Sequence, residues 1–571
     1  MKNKRRVLWC LLIVLAAIIT QNIVFAATPE VTLTTSETVV DEDLSVVADG
    51  DSSFVFITPK NGPDKVSSAA KTARNAIRNA TGVNLEVKND GKAAIATEIL
   101  VGETNREESK TLMASTPYGE YAIRVMNGKI VIAAWDDESI TKACEKFAAF
   151  VKKQGKKNTL TVAADYSADG VVTKGFGTIP HYGSTKNKVQ LIDLADKSYM
   201  LYVPSTTKKD FSEYLNSLTE QGFTEFSHRT AGKYMTYATY CNEETILHIS
   251  FNSSTDEARI ASDKAYDMTI FTEQEYEKVC EPTVSLVGQE VEVSTGWIYN
   301  ALCLVFRLED GRFIIVDGGY GQFSVNKLYK TLRSLHVNEG KITIAAWIFT
   351  HPHSDHTGAF TELTNTSIKR RIVVENFIHH FASDAQHNAF GSFGTAKTTR
   401  TAMRGYRNAN IIKAHSGQVI KAGGMEIEML FTYADMEPQK LDEMNTTSLV
   451  FRVTTYDNSI MVLGDASNRS LNYLIDTYGD YMESDMVQIA HHGYNGVAEA
   501  YSCINADVVL FPGGVNQFYG RRNLYRIKDW EFNKRALDLA EECYVAGDSV
   551  FTLILPYTPE NNRSVRIYDG E

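Results

Sequence analysis

The sequence predicts an α/β protein with two smaller folded regions followed by a larger C-terminal one. Its 571 residues exceed what a single hydrophobic core supports. With 43% hydrophobic and 10% aromatic residues and no low-complexity tract, the composition is that of a folded chain and excludes a disordered one. Strand and helix patterns alternate along most of the chain. The regions are predicted at 51–175 (α/β), 176–282 (small α+β) and 283–571.

The first 26 residues are typical of a signal peptide. A basic segment at 1–6 precedes an apolar run at 7–19, and a small-residue cleavage site follows at Ala26. An uncleaved N-terminal anchor is the alternative, although the apolar run is short for a membrane span. We therefore expect a secreted or cell-envelope protein that makes no membrane contact after cleavage.

The chain is acidic, with a formal net charge of −12, and loss of Lys2, Lys4, Arg5 and Arg6 with the leader would make it four units more negative. Such a field repels polyanions, so no extended nucleic-acid-binding surface is expected, whereas a small anionic ester could still reach a metal. The six cysteines beyond the leader are dispersed and lack CxxC spacing. They are predicted to be buried thiols, although export would permit a disulfide.

Residues 27–50 are polar and are predicted to form a linker or an edge strand. The region that follows is predicted to contain strands and helices in the order strand, helix, two strands, helix. These elements are expected at 54–57 (strand), 64–80 (helix), 99–101 and 130–133 (strands) and 140–151 (helix).

This order, together with Thr81-Gly82, the segment 100–105 and the segment 128–133, resembles the accessory N-terminal domains of many bacterial glycoside hydrolases. The resemblance implies an ancillary module that contacts glycans. Trp135 is either a sugar platform or a packed core residue.

The small α+β region has Tyr-rich strand patterns and one amphipathic helix, and its sequence indicates no task. Strands are expected at 189–194, 199–203, 233–241 and 246–251, and a helix at 210–218.

The segment His351-Pro-His353-Ser-Asp355-His356 follows the apolar strand pattern of 342–350. Side chains at a strand's end project into a loop while the sheet fixes their bases, as a metal site requires. Imidazoles and carboxylates suit zinc or a similar divalent ion. His351 and His353, two apart on an extended segment, can point the same way and hold a first ion. Asp355 and His356 would hold a second ion.

Residues Thr350–Ala359 are similar to the signature loop of the metallo-β-lactamase superfamily. Three further segments match that family's motifs in the required order: Phe313–Gly319, Ile460–Asp465 and Met486–Gly493. The resemblance implies an αββα sandwich in the C-terminal region, with the site at one edge of its two sheets.

The resemblance also implies residue roles. Asp317 supports the metal-binding loop through hydrogen bonds, Asp465 bridges two ions, and His491 completes the second ion's ligands. Its neighbour His492 would face the substrate or support the loop. Asp355 and Asp465 are the candidate catalytic residues, and two divalent ions, zinc first and manganese as the alternative, would share a hydroxide nucleophile.

The sequence departs from the family before the strand pair 448–453 and 460–463, where most relatives carry a further histidine for the first ion. Asn445 stands there instead. Its oxygen or a water could complete the first ion, which would favour a harder metal such as manganese. A histidine from a loop could also substitute, with His380 the preferred candidate among His379, His380, His387 and His415.

A bridging aspartate, where the best-known zinc β-lactamases have cysteine, is typical of family members that cleave phosphodiesters, lactones or thioesters. The Leu-Gly-Asp and His-His-Gly motifs resemble those of the lactamase-like domains of bacterial DNA-uptake channels and of teichoic-acid phosphorylcholine esterases. We therefore expect a secreted binuclear hydrolase of a small-molecule or cell-envelope phosphoester or phosphodiester.

Tyr519, Arg521 and Arg522 either contact the anionic substrate or form a solvated loop. The alternative function is an extracellular carbohydrate- or cell-envelope-binding protein whose metal site is structural or decayed.

Overall fold

The structure is a computed structural model that describes residues 42–183, 189–289, 291–292, 298–455, 458–521 and 524–562. The predicted signal peptide, residues 27–41 of the predicted linker, and Arg522 lie outside the described residues. Among the described residues no helix is both long and apolar enough to cross a membrane.

The N-terminal region is an α/β unit whose six-stranded sheet has the order β3-β2-β4-β6-β5-β8, with a separate β1–β7 pair. Helices α1 and α3 pack on each other and bury apolar residues against the sheet. The elements are β1 (Leu44–Val47), β2 (Val55–Thr58), α1 (Asp64–Thr81), β3 (Val87–Asn89), β4 (Glu98–Val101), α2 (Glu107–Ser115), β5 (Glu120–Met126), β6 (Lys129–Ala134), α3 (Asp137–Gln154), β7 (Leu160–Val162) and β8 (Ser167–Val171).

The five predicted elements of this region are present within a few residues of their expected bounds. Three elements between them, β3, α2 and β5, were not predicted because few of their residues are buried, so the apolar periodicity is weak. Trp135 packs between Tyr118 and His181, and its Nε1 donates to the backbone oxygens of Met113 and Thr116. These contacts favour the packed core residue over the sugar platform.

The middle region forms one antiparallel sheet, the middle sheet, in the order β11-β12-β13-β14-β10-β9 with helix α4 against it. Its predicted elements are present, while the exposed strand β11 lacked the apolar alternation that would have predicted it. The elements are β9 (Gln190–Asp193), β10 (Tyr199–Val203), α4 (Lys208–Glu220), β11 (Thr224–Ala231), β12 (Met235–Cys241), β13 (Thr245–Asn252) and β14 (Glu257–Lys264).

The C-terminal domain alternates strands and helices from residue 283 onward. Its strands are β15 (Thr283–Val287), β16 (Val291–Glu292), β17 (Ile298–Tyr299), β18 (Cys303–Arg307), β19 (Phe313–Asp317), β20 (Ile342–Phe349), β21 (Ile372–Val374), β22 (Asn376–His379), β23 (Asn410–Lys413), β24 (Val419–Ala422), β25 (Met425–Phe431), β26 (Val450–Thr455), β27 (Asn458–Val462), β28 (Met486–Gln488), β29 (Val508–Phe511), β30 (Glu542–Val545) and β31 (Val550–Ile554). Its helices are α5 (Gly321–Leu335), α6 (Ser354–Leu363), α7 (Asp384–Ala389), α8 (Phe393–Arg404), α9 (Asn468–Tyr478), α10 (Ala498–Ile504), α11 (Val515–Phe518) and α12 (Glu531–Leu539).

Two sheets face each other in this domain. The first has the order β23-β22-β20-β19-β18-β15-β31 with β21 also paired to β20, and the second has the order β24-β25-β26-β27-β28-β29-β30. Strands β19 and β20 run parallel, as do β27 and β28. The carboxyl ends of parallel neighbours meet at the same edge of a sheet, so the loops after these strands lie together.

Three apolar layers hold the sandwich together. Between the sheets, side chains such as Ile348 and Phe451 interdigitate without exposure to solvent. A second layer joins the first sheet to α5, α6 and α8, and a third joins the second sheet to α9, α10 and α12. The order of layers is helices, sheet, sheet, helices, which confirms the αββα prediction for this domain.

The six described cysteines, Cys144, Cys241, Cys280, Cys303, Cys503 and Cys543, are free thiols, and burial raises the pKa of Cys144 to about 12. The described chain from Asp43 onward forms one compact unit, and the middle sheet contacts the C-terminal domain, for example where Arg229 pairs with Glu428 and Asp263 with His415.

Replacing Phe451 by alanine tests the layer between the sheets. Phe451 is fully buried, and truncation of such a side chain costs about 3–5 kcal/mol because it leaves a cavity. We expect a clearly lower midpoint in thermal or urea unfolding followed by circular dichroism. The matched control is Phe323→Ala, since that side chain is 73% exposed and its loss should change stability by less than about 0.5 kcal/mol. Equal midpoints for the two variants would contradict this account of the core.

Candidate metal centre

Four loops at one edge of the sandwich bring the candidate ligands together. Asp317 ends β19, residues 350–356 follow β20, Asp465 follows β27, and His491 and His492 follow β28. The buried strands hold the bases of these side chains, while the loops turn the side chains into a shared space.

One half of the centre contains Asp355, His356, Asp465 and His492, whose ligand atoms all lie within 4.8 Å of one another. His356 Nε2 is 3.1 Å from Asp465 Oδ2. His492 Nε2 is 3.3 Å from Asp355 Oδ2 and 3.6 Å from Asp465 Oδ1. Two imidazoles and two carboxylates at these separations match the ligand spacing around a divalent ion.

Several buried polar atoms of this half have no hydrogen-bond partner among the described residues. They include His356 Nε2, His492 Nε2 and Asp465 Oδ1. Buried polar atoms are nearly always paired, so three unpaired atoms that face one space indicate a missing partner. A divalent cation fits, because the carboxylate oxygen offers a lone pair and each imidazole Nε2 does so once it has lost its proton.

The other half contains His351 and His353. Their rings are in contact, and His351 Nε2 lies 2.9 Å from His353 Nδ1. His351 Nε2 lies 3.9 Å from Asp465 Oδ2. Asp465 therefore lies between the two halves and can contact an ion in each, which is what a bridging carboxylate requires.

The two adjacent histidines after β28 have different surroundings. His492 is buried and belongs to the half with Asp355, His356 and Asp465. His491 is 30% exposed, with its Nε2 3.8 Å from Asp465 Oδ2, and it acts electrostatically on His351 and His353. The sequence motif predicts His491 as a ligand of the second ion, whereas in the structure it is His492 whose Nε2 lies near Asp355 and Asp465. Which of the two histidines binds the ion stays a prediction, and the sequence does not report which ring the turn between them directs inward.

This turn has an unusual backbone. His491 and His492 both have left-handed conformations, with φ values of 48° and 52°. Such conformations are costly for residues other than glycine and persist only where neighbours enforce them. The His491 N–H donates to the Gly464 oxygen, and Gln488 bonds the backbone of Leu463 and Gly464.

Asn445 stands beside His491, with its Nδ2 3.3 Å from His491 Nε2, and its buried Oδ1 has no partner among the described residues. Asn445 and His491 thus lie at the His351/His353 half, where the sequence lacks the expected third histidine.

Asp317 organises the loop behind these ligands. Its Oδ1 accepts the Thr350 N–H at 2.8 Å, and its Oδ2 accepts the Thr350 hydroxyl at 2.8 Å. The same Oδ2 lies 2.7 Å from His356 Nδ1. With Nδ1 held by a carboxylate, His356 turns Nε2 toward Asp465, as a metal-binding histidine requires.

Burial and neighbouring charges shift the pKa values of the side chains in this centre, some downward and one upward. Burial, helped by His356 and His353, holds the pKa of His351 well below its usual range, so this ring is neutral and ready to bind a cation. Burial would lower the pKa of His356, but Asp465 and Asp317 outweigh it and raise this pKa well above the usual range. Burial would raise the pKa of Asp465, but His356 and His492 hold it well below its usual range.

Three supporting residues were missed by the sequence analysis. Thr350 contacts Asp317, and Ser448 Oγ accepts the Asp465 N–H while lying 3.3 Å from His351 Nδ1. Gln488 braces the loop that carries Asp465. In the sequence, these residues are marked only by their position next to the strands that carry the motifs. Hydroxyl and amide residues are common next to strands, so this position did not single them out.

Three further candidates, His380, Tyr519 and Arg521, have contacts outside the groups described above. His380 is buried, with its Nδ1 2.7 Å from the Ala414 oxygen and its ring against His415, so its contacts do not support it as the substitute ligand. The Arg521 guanidinium lies over the Tyr519 ring, 5.1 Å from its centroid. Contact of Tyr519 or Arg521 with a substrate stays a prediction.

Comparisons with known proteins agree with this geometry. Residues 297–500 match the model of the metallo-beta-lactamase superfamily. The match lies within the C-terminal domain, which has the metallo-β-lactamase fold. No curated protein matches the chain.

Solved structures similar to this chain share low identity with it. The metallo-beta-lactamase fold protein YhfI from Bacillus subtilis is 14% identical, with 48% of this chain and 98% of that chain covered and a TM-score of 0.29. Yeast PDE1 is 12% identical, with 48% and 99% covered and a TM-score of 0.31. CmlA, a diiron beta-hydroxylase from Streptomyces venezuelae, is 14% identical, with 48% and 54% covered and a TM-score of 0.30.

Changing Asp317 to asparagine should weaken metal binding about 10–100-fold, because the amide no longer offers His356 a charged acceptor. Competition titration of the metal-free chain against a chelator measures the affinity. The control is Asp256→Asn, an exposed left-handed position that asparagine tolerates. Unchanged affinity in Asp317→Asn would contradict the supporting role.

The assignment of His492 predicts a difference between neighbours. In a His353→Ala background, adding His492→Ala should remove about one further ion per chain, because it strips the half that contains Asp355 and Asp465. Adding His491→Ala instead should leave that ion in place. Elemental analysis of the desalted proteins measures this, and loss of the ion only in the His491 variant would reverse the assignment.

Proposed function

We propose that the protein is a binuclear metal-dependent hydrolase of phosphoester or phosphodiester substrates. The observation that carries the proposal is Asp465, buried between two groups of metal-ligand side chains and able to contact an ion in each. His351 and His353, with His491, would hold one ion, and the half with His492 the other. Zinc suits these ligands best, with manganese as the alternative.

Bound ions at this centre would supply an activated water at neutral pH. The chain's own residues orient the reaction. Asp317 fixes the ring of His356, and Ser448 fixes the backbone at Asp465. The ligand candidates that retain solvent contact are His353, Asp355 and His491, so the substrate would approach from their side.

Charge supports an anionic substrate. Two divalent ions bring four positive charges against the carboxylates of Asp355, Asp465 and the neighbouring Asp317, so the centre is positive, within an acidic chain, before a hydroxide binds. Such a local field attracts a small phosphoester, whereas the overall charge disfavours a long polyanion. An aspartate at the bridging position, where zinc β-lactamases of the best-known group have cysteine, argues against β-lactam hydrolysis.

Export is part of this proposal. A signal peptide at 1–26 would place the enzyme in the cell envelope or outside the cell, where phosphodiesters of the envelope are the accessible substrates. The N-terminal region would then hold the enzyme near glycans.

Hydrolysis of bis(4-nitrophenyl) phosphate by the full metal-loaded chain tests the proposal. We expect metal-dependent release of nitrophenol, lowered at least about 100-fold by His353→Ala, because one ion loses a ligand. The control is His228→Ala, a half-exposed histidine of the middle sheet. A chain with two ions at this centre that leaves every phosphoester intact, or cleaves only lactones or thioesters, would overturn the phosphoester assignment.

A further inference from the structure

A second group of metal-ligand side chains lies where the middle sheet meets the C-terminal domain. His248 is on β13 and Asp263 on β14 of the middle sheet, while His415 is in the loop between β23 and β24. We call these three residues the interdomain triad. One ligand atom from each lies within 4.8 Å of the others.

The spacing within the triad fits a cation. His415 Nε2 lies 2.9 Å and His248 Nε2 3.7 Å from the same oxygen, Asp263 Oδ2. Two ligands at about 2.0 Å from a tetrahedral ion are about 3.3 Å apart, so both distances lie within a few tenths of an ångström of that value. The His248 and His415 rings stack with centroids 4.5 Å apart, which keeps their Nε2 atoms on one side.

The hydrogen bonds available to His248 do not account for its burial. Only 5% of this residue is exposed, and its Nδ1 has no partner among the described residues. Its Nε2 has the Tyr266 hydroxyl and the Gln418 amide nitrogen at 3.4 Å each, the outer limit for a hydrogen bond. A buried imidazole with neither nitrogen well paired is costly unless another partner binds it.

A route to the triad exists. His248 and Gln418 line a cavity of about 450 Å³ between the middle sheet and the second sheet of the C-terminal domain. The cavity has polar walls that include Arg229 and Glu428, so water and ions can enter it.

We propose that the interdomain triad binds one divalent cation, zinc or a similar ion, and that this ion ties the middle sheet to the C-terminal domain. The three protein ligands come from both parts, so the ion can be held only when the two are docked. The cavity side leaves the fourth position to a water. This site is separate from the metal centre, and it stands whether or not the protein hydrolyses phosphoesters.

Metal counting in a chain that lacks the main centre tests the proposal. The full chain carrying His353→Ala, His356→Ala, Asp465→Ala and His492→Ala, here called the centre-minus chain, is stripped with a chelator and titrated with Zn²⁺ alone. It should bind one ion that is lost when His415→Gln is added. Asp263→Asn should have the same effect, and zinc should raise the thermal unfolding midpoint of the centre-minus chain but not of the chains that also carry a triad substitution. His228→Gln, on β11 of the same sheet, is the control that should leave this ion in place.

Retention of the ion in the folded centre-minus chain that also carries His415→Gln would overturn the proposal, as would absence of any tightly bound ion in the centre-minus chain. Should the triad variants fail to fold, zinc X-ray absorption of the centre-minus chain decides the question. The expected spectrum contains scattering from two imidazoles and an oxygen ligand. A spectrum with oxygen neighbours alone would overturn the site.

Discussion

The buried carboxylate of Asp317 is the contact on which the metal centre depends. It ends β19, yet it bonds the backbone and hydroxyl of Thr350 at the start of the loop after β20 and the ring of His356 at that loop's end. One side chain therefore fixes both the path of the loop and the direction of a ligand ring. Because the carboxylate is fully buried, its charge must be matched by these donors, and the loop has little freedom to adopt another shape.

Asp465 has the complementary role on the second sheet. Its carboxylate lies between the His351/His353 half and the half with His492, and its charge is balanced by surrounding imidazoles. The raised pKa of His356 favours a proton on this ring, whose positive charge offsets part of the negative charge of Asp465. Divalent ions would offset that negative charge instead, so metal binding and loss of the proton are linked.

Much of the fold followed from local patterns. The alternation of strand and helix predicted three regions, and the ends of four strands carried the motif residues Asp317, His351, Asp465 and His491. Elements with few buried residues, such as α2 and β11, gave weak periodicity and were not predicted. The interdomain triad was also unforeseen, because its members are distant in sequence and each looks like an ordinary histidine or aspartate.

The sequence by itself determined the fold class of the C-terminal domain and the chemical types of its ligands, because closely spaced histidines and aspartates after buried strands have few other uses. Only the tertiary structure decided which of His491 and His492 faces Asp355, since both residues adopt left-handed conformations that no local sequence pattern specifies. It also decided that His380 points to Ala414 and that His248 meets His415. Such pairings depend on how separate sheets pack, and no local pattern of residues encodes that packing.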